Sequence, residues 1–130
     1  MKFNVVDLFA GIGGFTLGFH KEGSFQTVFA NDVDVDMVQT YKLNYPDVSV
    51  QCSNITNVNF DKIISLNKNI DVVVGGPPCQ AYSTSGKRML SDPRGRLFVE
   101  YGKAISVLKP KLFIYENVKG LLSMNRGKLI

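Results

Sequence analysis

The segment Gly75-Gly76-Pro77-Pro78-Cys79-Gln80 sets a cysteine behind two glycines and two prolines. Such a turn is rigid and projects its last side chain from the end of a strand, where a thiol kept only for packing is not expected. Cys79 therefore reads as a nucleophile, with an inert buried thiol as the competing reading. Glu116-Asn117-Val118 follows the apolar run 112–115, which puts a carboxyl at a second strand end, level with Cys79. Burial disfavours an ionised carboxyl, so Glu116 could hold a proton near neutral pH and donate it to a ring nitrogen. Capping a helix is its plainer alternative.

The turn Ala10-Gly11-Ile12-Gly13-Gly14 lies between an apolar run and a short helical stretch opening at Phe15. Glycines there let the backbone approach a ligand, and the helix start offers unpaired N–H groups to an anion. The full G-x-G-x-x-G pattern fails because Thr16 stands where the third glycine would fall. A pyrophosphate cradle is thus disfavoured, and with it a nicotinamide-dependent oxidoreductase; a nucleoside carrying a smaller anion such as a carboxylate suits the turn better. Asp32 ends the second apolar run, where an acid can accept both ribose hydroxyls; a helix cap is the competing reading, and Asp34 competes for that cap. Asn54 and Ile55, after the third run, offer an amide to an adenine edge and an apolar wall to its face. Residues 81–96 carry Ser83, Thr84, Ser85, Lys87, Arg88, Arg94 and Arg96, a set suited either to phosphate contacts on a closing loop or to plain solvation. Cys52, closing an apolar strand, reads as core, and His20 as a helix-end residue.

These residues need a scaffold. Apolar runs at 3–9, 25–30, 48–52, 71–74 and 111–115 read as strands, and 15–19, 34–43, 60–66 and 97–108 as helices, with another opening at 121. Alternation of this kind predicts an α/β fold, a Rossmann-like doubly wound and mostly parallel sheet, cut off after its fifth strand. The valines at 72–74 suit a strand covered on both faces. Every polar or glycine cluster falls at a carboxyl strand end, which is where ligands of such sheets sit. The stretch from 76 to 95 is too long for a simple connection and reads as functional.

The 130 residues are one domain's worth of sequence. Hydrophobic residues at 45% and charged residues at 20% exclude disorder and coiled coil. Two cysteines are too few for a disulfide framework, and the expectation is an intracellular, soluble protein with no signal peptide, membrane span or metal site. Net charge is +4, with five Lys/Arg against eight Asp/Glu in residues 1–79 and ten against three in 80–130. The basic second part suggests that a polyanion meets it.

With DLFAGIGGF at 7–15, GGPPCQ at 75–80 and ENV at 116–118 in order, the chain resembles the cytosine-5 DNA methyltransferases. The resemblance covers essentially all of it and implies the S-adenosylmethionine-dependent methyltransferase fold. Residues 1–130 would form a partial cofactor-binding and catalytic domain, corresponding to the first half to two-thirds of the family's catalytic domain and lacking its target-recognition region. Carried over by position, Phe9, Ala10, Gly11, Ile12, Gly13, Gly14, Phe15, Asp32, Val33, Asn54, Ile55, Pro78 and Leu97 would form the S-adenosylmethionine pocket. Cys79 would be the nucleophile and Glu116 the group engaging ring N3 of cytosine, with Gln80, Ser83, Arg94 and Asn117 on the DNA side. The implied reaction flips the base from double-stranded DNA, adds Cys79 to C6, methylates C5 and then eliminates the cysteine. The family usually has an acid at Asn54 and an aromatic residue at Val33, so looser adenine packing is expected here. A restriction-modification enzyme of the bacterial cytoplasm is the expected setting. Two other readings stand beside it: a cofactor-binding fragment or split-enzyme subunit that needs a complementary C-terminal chain, and a relative turned to RNA.

Overall fold

The computed structural model describes residues 1–78 and 96–117. The elements run β1 (Phe3–Leu8), α1 (Gly14–Glu22), β2 (Phe25–Asp32), α2 (Val35–Asn44), β3 (Ser49–Cys52), a 3-10 turn (Ile55–Asn57), α3 (Phe60–Asn67), β4 (Val72–Gly75), α4 (Leu97–Leu108) and β5 (Leu112–Tyr115). All strand pairings are parallel, in the order β3-β2-β1-β4-β5. The chain winds outward from β1 in both directions, so a crevice opens beyond the carboxyl ends where the order reverses.

Strand alternation sends side chains to two layers. Val6, Leu8 and Val73 face α3 and α4 and pack with Phe29, Ile55, Ile63, Tyr101, Ala104 and Leu108. Val5, Val72 and Val74 face the other way, against Phe15 and Phe19 of α1, while Ala30 packs with Tyr41 of α2. The valines of β4 are therefore covered on both faces, as their unbroken run requires. A register shift between Val5 and Val6 moves the β2 partner from Thr27 to Phe29. That irregularity lets Thr27 reach α1 while Phe29 packs into the α3/α4 layer.

The boundaries differ from expectation where the backbone turns. The first strand stops at Leu8 rather than residue 9, because Phe9 enters the left-handed region at φ 54°. The second runs on to Asp32, held by the Ala10 N–H donating to the Asn31 carbonyl. Asp34, not Asp32, caps α2 by accepting from the N–H groups of Asp36 and Met37. Val38 and Tyr41 form the buried face of that helix, whereas Val35 is exposed. Cys52, expected in the core, is exposed at the end of the outer strand β3, where only one neighbouring strand covers it. Its thiol donates weakly to the Val33 carbonyl at 3.7 Å. Among the described residues no helix is long and apolar enough to cross a membrane.

Candidate cofactor and catalytic cleft

At the carboxyl end of the sheet, on the α3/α4 side, a cleft of about 140 Å3 is lined by Phe9, Asn31, Asp32, Val33, Ser53, Asn54, Ile55, Gly76, Pro78 and Leu97. Seven of the residues singled out in the sequence thus meet in one place: Phe9, Asp32, Val33, Asn54, Ile55, Pro78 and Leu97. A larger hollow of about 510 Å3 lies at the amino ends of the strands, among Lys2, His20, Gln26 and Asp47. Size does not decide between them, because the converging loops and the topological switch are at the carboxyl ends.

The glycine turn forms one wall of this region through the backbone. Gly11 adopts φ 55° and donates its N–H to Asp32 Oδ2 at 2.8 Å, fixing the acid to the turn. The other Asp32 oxygen accepts from the Asp34 N–H at 3.0 Å. Asp32 is thus oriented at both oxygens, lines the cleft, and each oxygen retains capacity to accept a further hydrogen bond. Gly13, at φ 96°, is the N-cap of α1 and supplies no capping side chain. A Cβ there would lie 2.3 Å from Tyr45 Cε2 and 3.0 Å from Tyr41 Cε2, and the Tyr45 hydroxyl donates to the Gly13 carbonyl at 3.0 Å. Ala10 packs against the α2 cluster, and Ile12 is exposed. Gly14 and Phe15 line a separate apolar groove on α1 with Gly18, Phe19 and Phe25, rather than the cleft itself.

Opposite the turn, Asn54 uses its amide oxygen to cap the 3-10 turn, accepting from the Thr56 N–H at 3.1 Å and hydroxyl at 3.0 Å. Its NH2 end is the part that can meet a ligand edge. Ile55 is buried in the core and shows only a wall to the cleft, while Val33 is exposed at the rim. Asn31, absent from the residues expected at the site, organises both sides. It is fully buried, and its amide donates to the carbonyls of Gln51 at 3.0 Å and Ser53 at 2.9 Å. The loop bearing Asn54 is therefore clamped to β2. Ser53 was likewise missed, its only sequence signal being its place at a strand end, and Gly76, read as part of the rigid turn before Cys79, also lines the cleft.

At the neighbouring strand ends, the Glu116 N–H donates to the Gly75 carbonyl at 2.9 Å and extends the β4–β5 pairing by one residue. The Glu116 carboxyl lies over Gly76, where an added Cβ would stand 2.7 Å from Oε2. Glycine at 76 thus makes room for an acid three residues before Cys79. Glu116 is exposed, so the burial expected for it is not found: β5 lies at the sheet edge, with Leu112 and Phe113 more than half exposed. The Asn117 amide donates to the Tyr115 hydroxyl, and the Tyr115 ring packs at a tilt of 56° against Tyr101. Cys79, Gln80, Ser83 and Arg94 lie outside the described residues, as does the segment from 121 onward. Among the described residues no cluster of three or more His, Cys, Asp or Glu side chains could hold a metal.

Beneath the turn is a polar network that the sequence reading did not identify. The Thr16 hydroxyl donates to Asp7 Oδ2 at 2.7 Å and lies 2.7 Å from the Tyr41 hydroxyl and 3.1 Å from that of Thr27. All of Asp7, Thr16 and Thr27 are buried. Burial pushes the Asp7 carboxyl up to about 7, opposed by its hydrogen bonding to Thr16. Burial likewise pushes the Tyr41 hydroxyl up.

The doubly wound sheet, the glycine turn and the acid at the end of β2 define an α/β protein of the S-adenosylmethionine-dependent methyltransferase fold. A family model of C-5 cytosine-specific DNA methylase matches residues 3–130, and the chain belongs to that family. It is 40% identical to the Type II methyltransferase M.AquIA of Picosynechococcus sp., over all of this chain and 54% of that protein. With the Type II methyltransferase M.DdeI of Desulfomicrobium norvegicum it shares 42% identity over 93% of the chain and 29% of the relative. A putative DNA modification methyltransferase encoded within an E. coli prophage superposes with a TM-score of 0.81 at 31% identity, covering 98% of this chain and 35% of that structure. The chain spans about half, or less, of the length of these relatives.

Proposed function

We propose that these residues form the cofactor-binding and nucleophile-bearing part of an enzyme that methylates C5 of cytosine in double-stranded DNA. The observation that supports it best is the convergence of Asp32, Asn54, Ile55, Phe9 and Leu97 on one cleft, with the Glu116 carboxyl at its neighbouring strand end over Gly76. The donor set fits S-adenosylmethionine: Asp32 for the ribose hydroxyls, the Asn54 NH2 and Ile55 for the adenine, and the uncapped start of α1 for the carboxylate. When bound, that cofactor supplies an electrophilic methyl group.

The chain's own residues prepare the base. The Cys79 thiolate forms a bond to C6 of a flipped cytosine, and Glu116 hydrogen-bonds N3 as electron density moves into the ring. C5 becomes nucleophilic by this addition. Once C5 is substituted, loss of its proton to a base re-forms the ring double bond, and the Cys79–C6 bond breaks with the thiolate as leaving group. Gln80, Ser83, Arg94 and Asn117 are assigned to the DNA side of this site, and no metal takes part in the proposal.

A second reading is favoured by the fraction of each relative that is matched and by the exposed apolar side chains of β5. On that reading the 130 residues bind cofactor but transfer methyl groups only with the remaining sequence, on the same or a complementary chain. Methyl transfer from labelled S-adenosylmethionine to duplex DNA, with and without such a C-terminal chain, tests both. Transfer abolished by Cys79→Ala, with cofactor binding retained, is expected in the complemented enzyme. Equal transfer by that variant would remove the covalent mechanism.

A further inference from the structure

Asp7 is the centre of the least expected chemistry in the fold. It is an acid in the middle strand of the sheet, fully buried between the Ala30 and Val74 positions on the α1/α2 side. Its Oδ2 accepts from Thr16 in the first turn of α1, and its Oδ1 has no hydrogen-bond partner. Helix α1 needs an acceptor there, because Gly13 offers no capping side chain and the first intrahelical bond is from the Leu17 N–H to the Gly13 carbonyl. Asp7 is tied to this helix start through the Thr16 hydroxyl.

We infer that Asp7 is a positioning residue whose charge competes with the carboxylate end of the ligand for the start of α1, so that the turn takes that carboxylate more tightly when Asp7 is protonated. The inference rests on the cofactor reading above. Its electrostatics are simple: an ionised Asp7 neutralises the positive end of α1 and repels a second anion, whereas a neutral Asp7 leaves that end to the ligand. The groups facing Asp7 reinforce this. They are Thr16 on α1, Thr27 and Asp32 on β2, Tyr41 on α2 and Tyr45 just after it, and the charged one among them is an anion. Burial and the Asp32 charge favour the protonated form, Thr16 the ionised one, and the balance lies at about 7, within reach of physiological change. A single buried, unpartnered oxygen is tolerated far better on a neutral carboxyl than on an ion.

The test uses the full 130-residue chain, 13C detection of the Asp7 carboxyl, and calorimetric titration with S-adenosylhomocysteine between about pH 5.5 and about pH 8.5. Coupling free energies between sites usually amount to a few-fold to a hundred-fold in affinity, so a loss on the order of tenfold as Asp7 ionises is expected. Asp7→Asn should hold the tighter affinity across the range. 5′-Methylthioadenosine, which keeps the adenosine and sulfur but lacks the amino-acid end, should bind without this slope. The ligand's own amino group titrates identically against both proteins and cancels in the comparison. Should Asp7→Asn not fold, Thr16→Val removes the hydroxyl that favours the ion and should move the inflection to higher pH. An unchanged slope in Asp7→Asn, or an unmoved inflection in Thr16→Val, overturns the inference while leaving the cofactor reading in place. No binding of either ligand at any pH overturns the cofactor reading and the coupling with it.

Discussion

Individual residues at the glycine turn are chosen by backbone geometry before chemistry. Phe9 holds φ 54°, a conformation rare for a bulky side chain, and Gly13 holds φ 96° against two tyrosine rings. Gly13→Ala combines a disfavoured φ with a Cβ 2.3 Å from Tyr45, so a loss of roughly 2 to 4 kcal/mol in urea unfolding is expected, with displaced Tyr45 resonances. Gly11→Ala meets no atom within 4 Å and should lose only the φ penalty, roughly 1 to 2 kcal/mol. Equal losses for the two variants would show that the tyrosine contacts do not shape the turn. Asp32→Ala should weaken S-adenosylhomocysteine binding by at least about tenfold, since the acceptor proposed for the ribose hydroxyls is gone; unchanged affinity by calorimetry would remove the ribose assignment. Asp32, Asn54 and Ile55 were legible because they follow apolar runs, and Phe9 and Pro78 because they end a run or sit in a proline turn, whereas Val33 and Leu97 came only from the family resemblance. Asp7 was not: it lies inside an apolar run, and the Thr16, Thr27 and Tyr41 that give it meaning come from three other elements.

Among the elements, parallel strands leave their starts to be fastened by side chains, and Asp71 does this for three of them. Its carboxyl accepts from the Asn4 N–H at 2.8 Å and from Lys111 Nζ at 2.7 Å, while its carbonyl accepts from the Lys111 N–H at 3.0 Å. Hydrogen bonding to Lys111, with the Asn4 N–H next, holds its pKa below the ordinary value. Asp71→Asn should therefore speed amide exchange at the amino ends of β1 and β5 without altering the carboxyl-end cleft; uniform acceleration throughout the sheet would contradict this local role. Asp34→Ala, which removes the α2 cap, should lose about 1 kcal/mol in unfolding free energy. The element order and layer assignment followed from apolar periodicity, but the ends did not. The first strand stops early because Phe9 turns left-handed, and the choice between Asp32 and Asp34 as cap needed the bond from Gly11 to Asp32.

For the whole molecule, the two buried carboxylates give stability a defined pH dependence. Asp7 keeps its proton up to about 7 when folded but releases it near the ordinary carboxylate value of 3.8 when unfolded. Between those values the folded state binds more protons, so Asp7 makes stability fall as pH rises from about 4 to about 7 and level off above that. Asp71 has the opposite sign: its contribution is present above the unfolded value and is lost as pH falls through the depressed folded one. Urea midpoints measured across this range should decline toward neutral pH in the native chain and decline less in Asp7→Asn. Parallel profiles for the two proteins would contradict the placement of Asp7.

The central claim is that the carboxyl-end cleft is where the methyl donor binds. It is tested most directly by mapping amide and methyl chemical-shift changes in the 130-residue chain on addition of S-adenosylhomocysteine. Shifts concentrated at Gly11, Asp32, Val33, Asn54, Ile55 and Leu97 are predicted, with Lys2, His20 and Asp47 at the opposite end unmoved. Saturable shifts at that opposite end, with the cleft unchanged, would contradict the account.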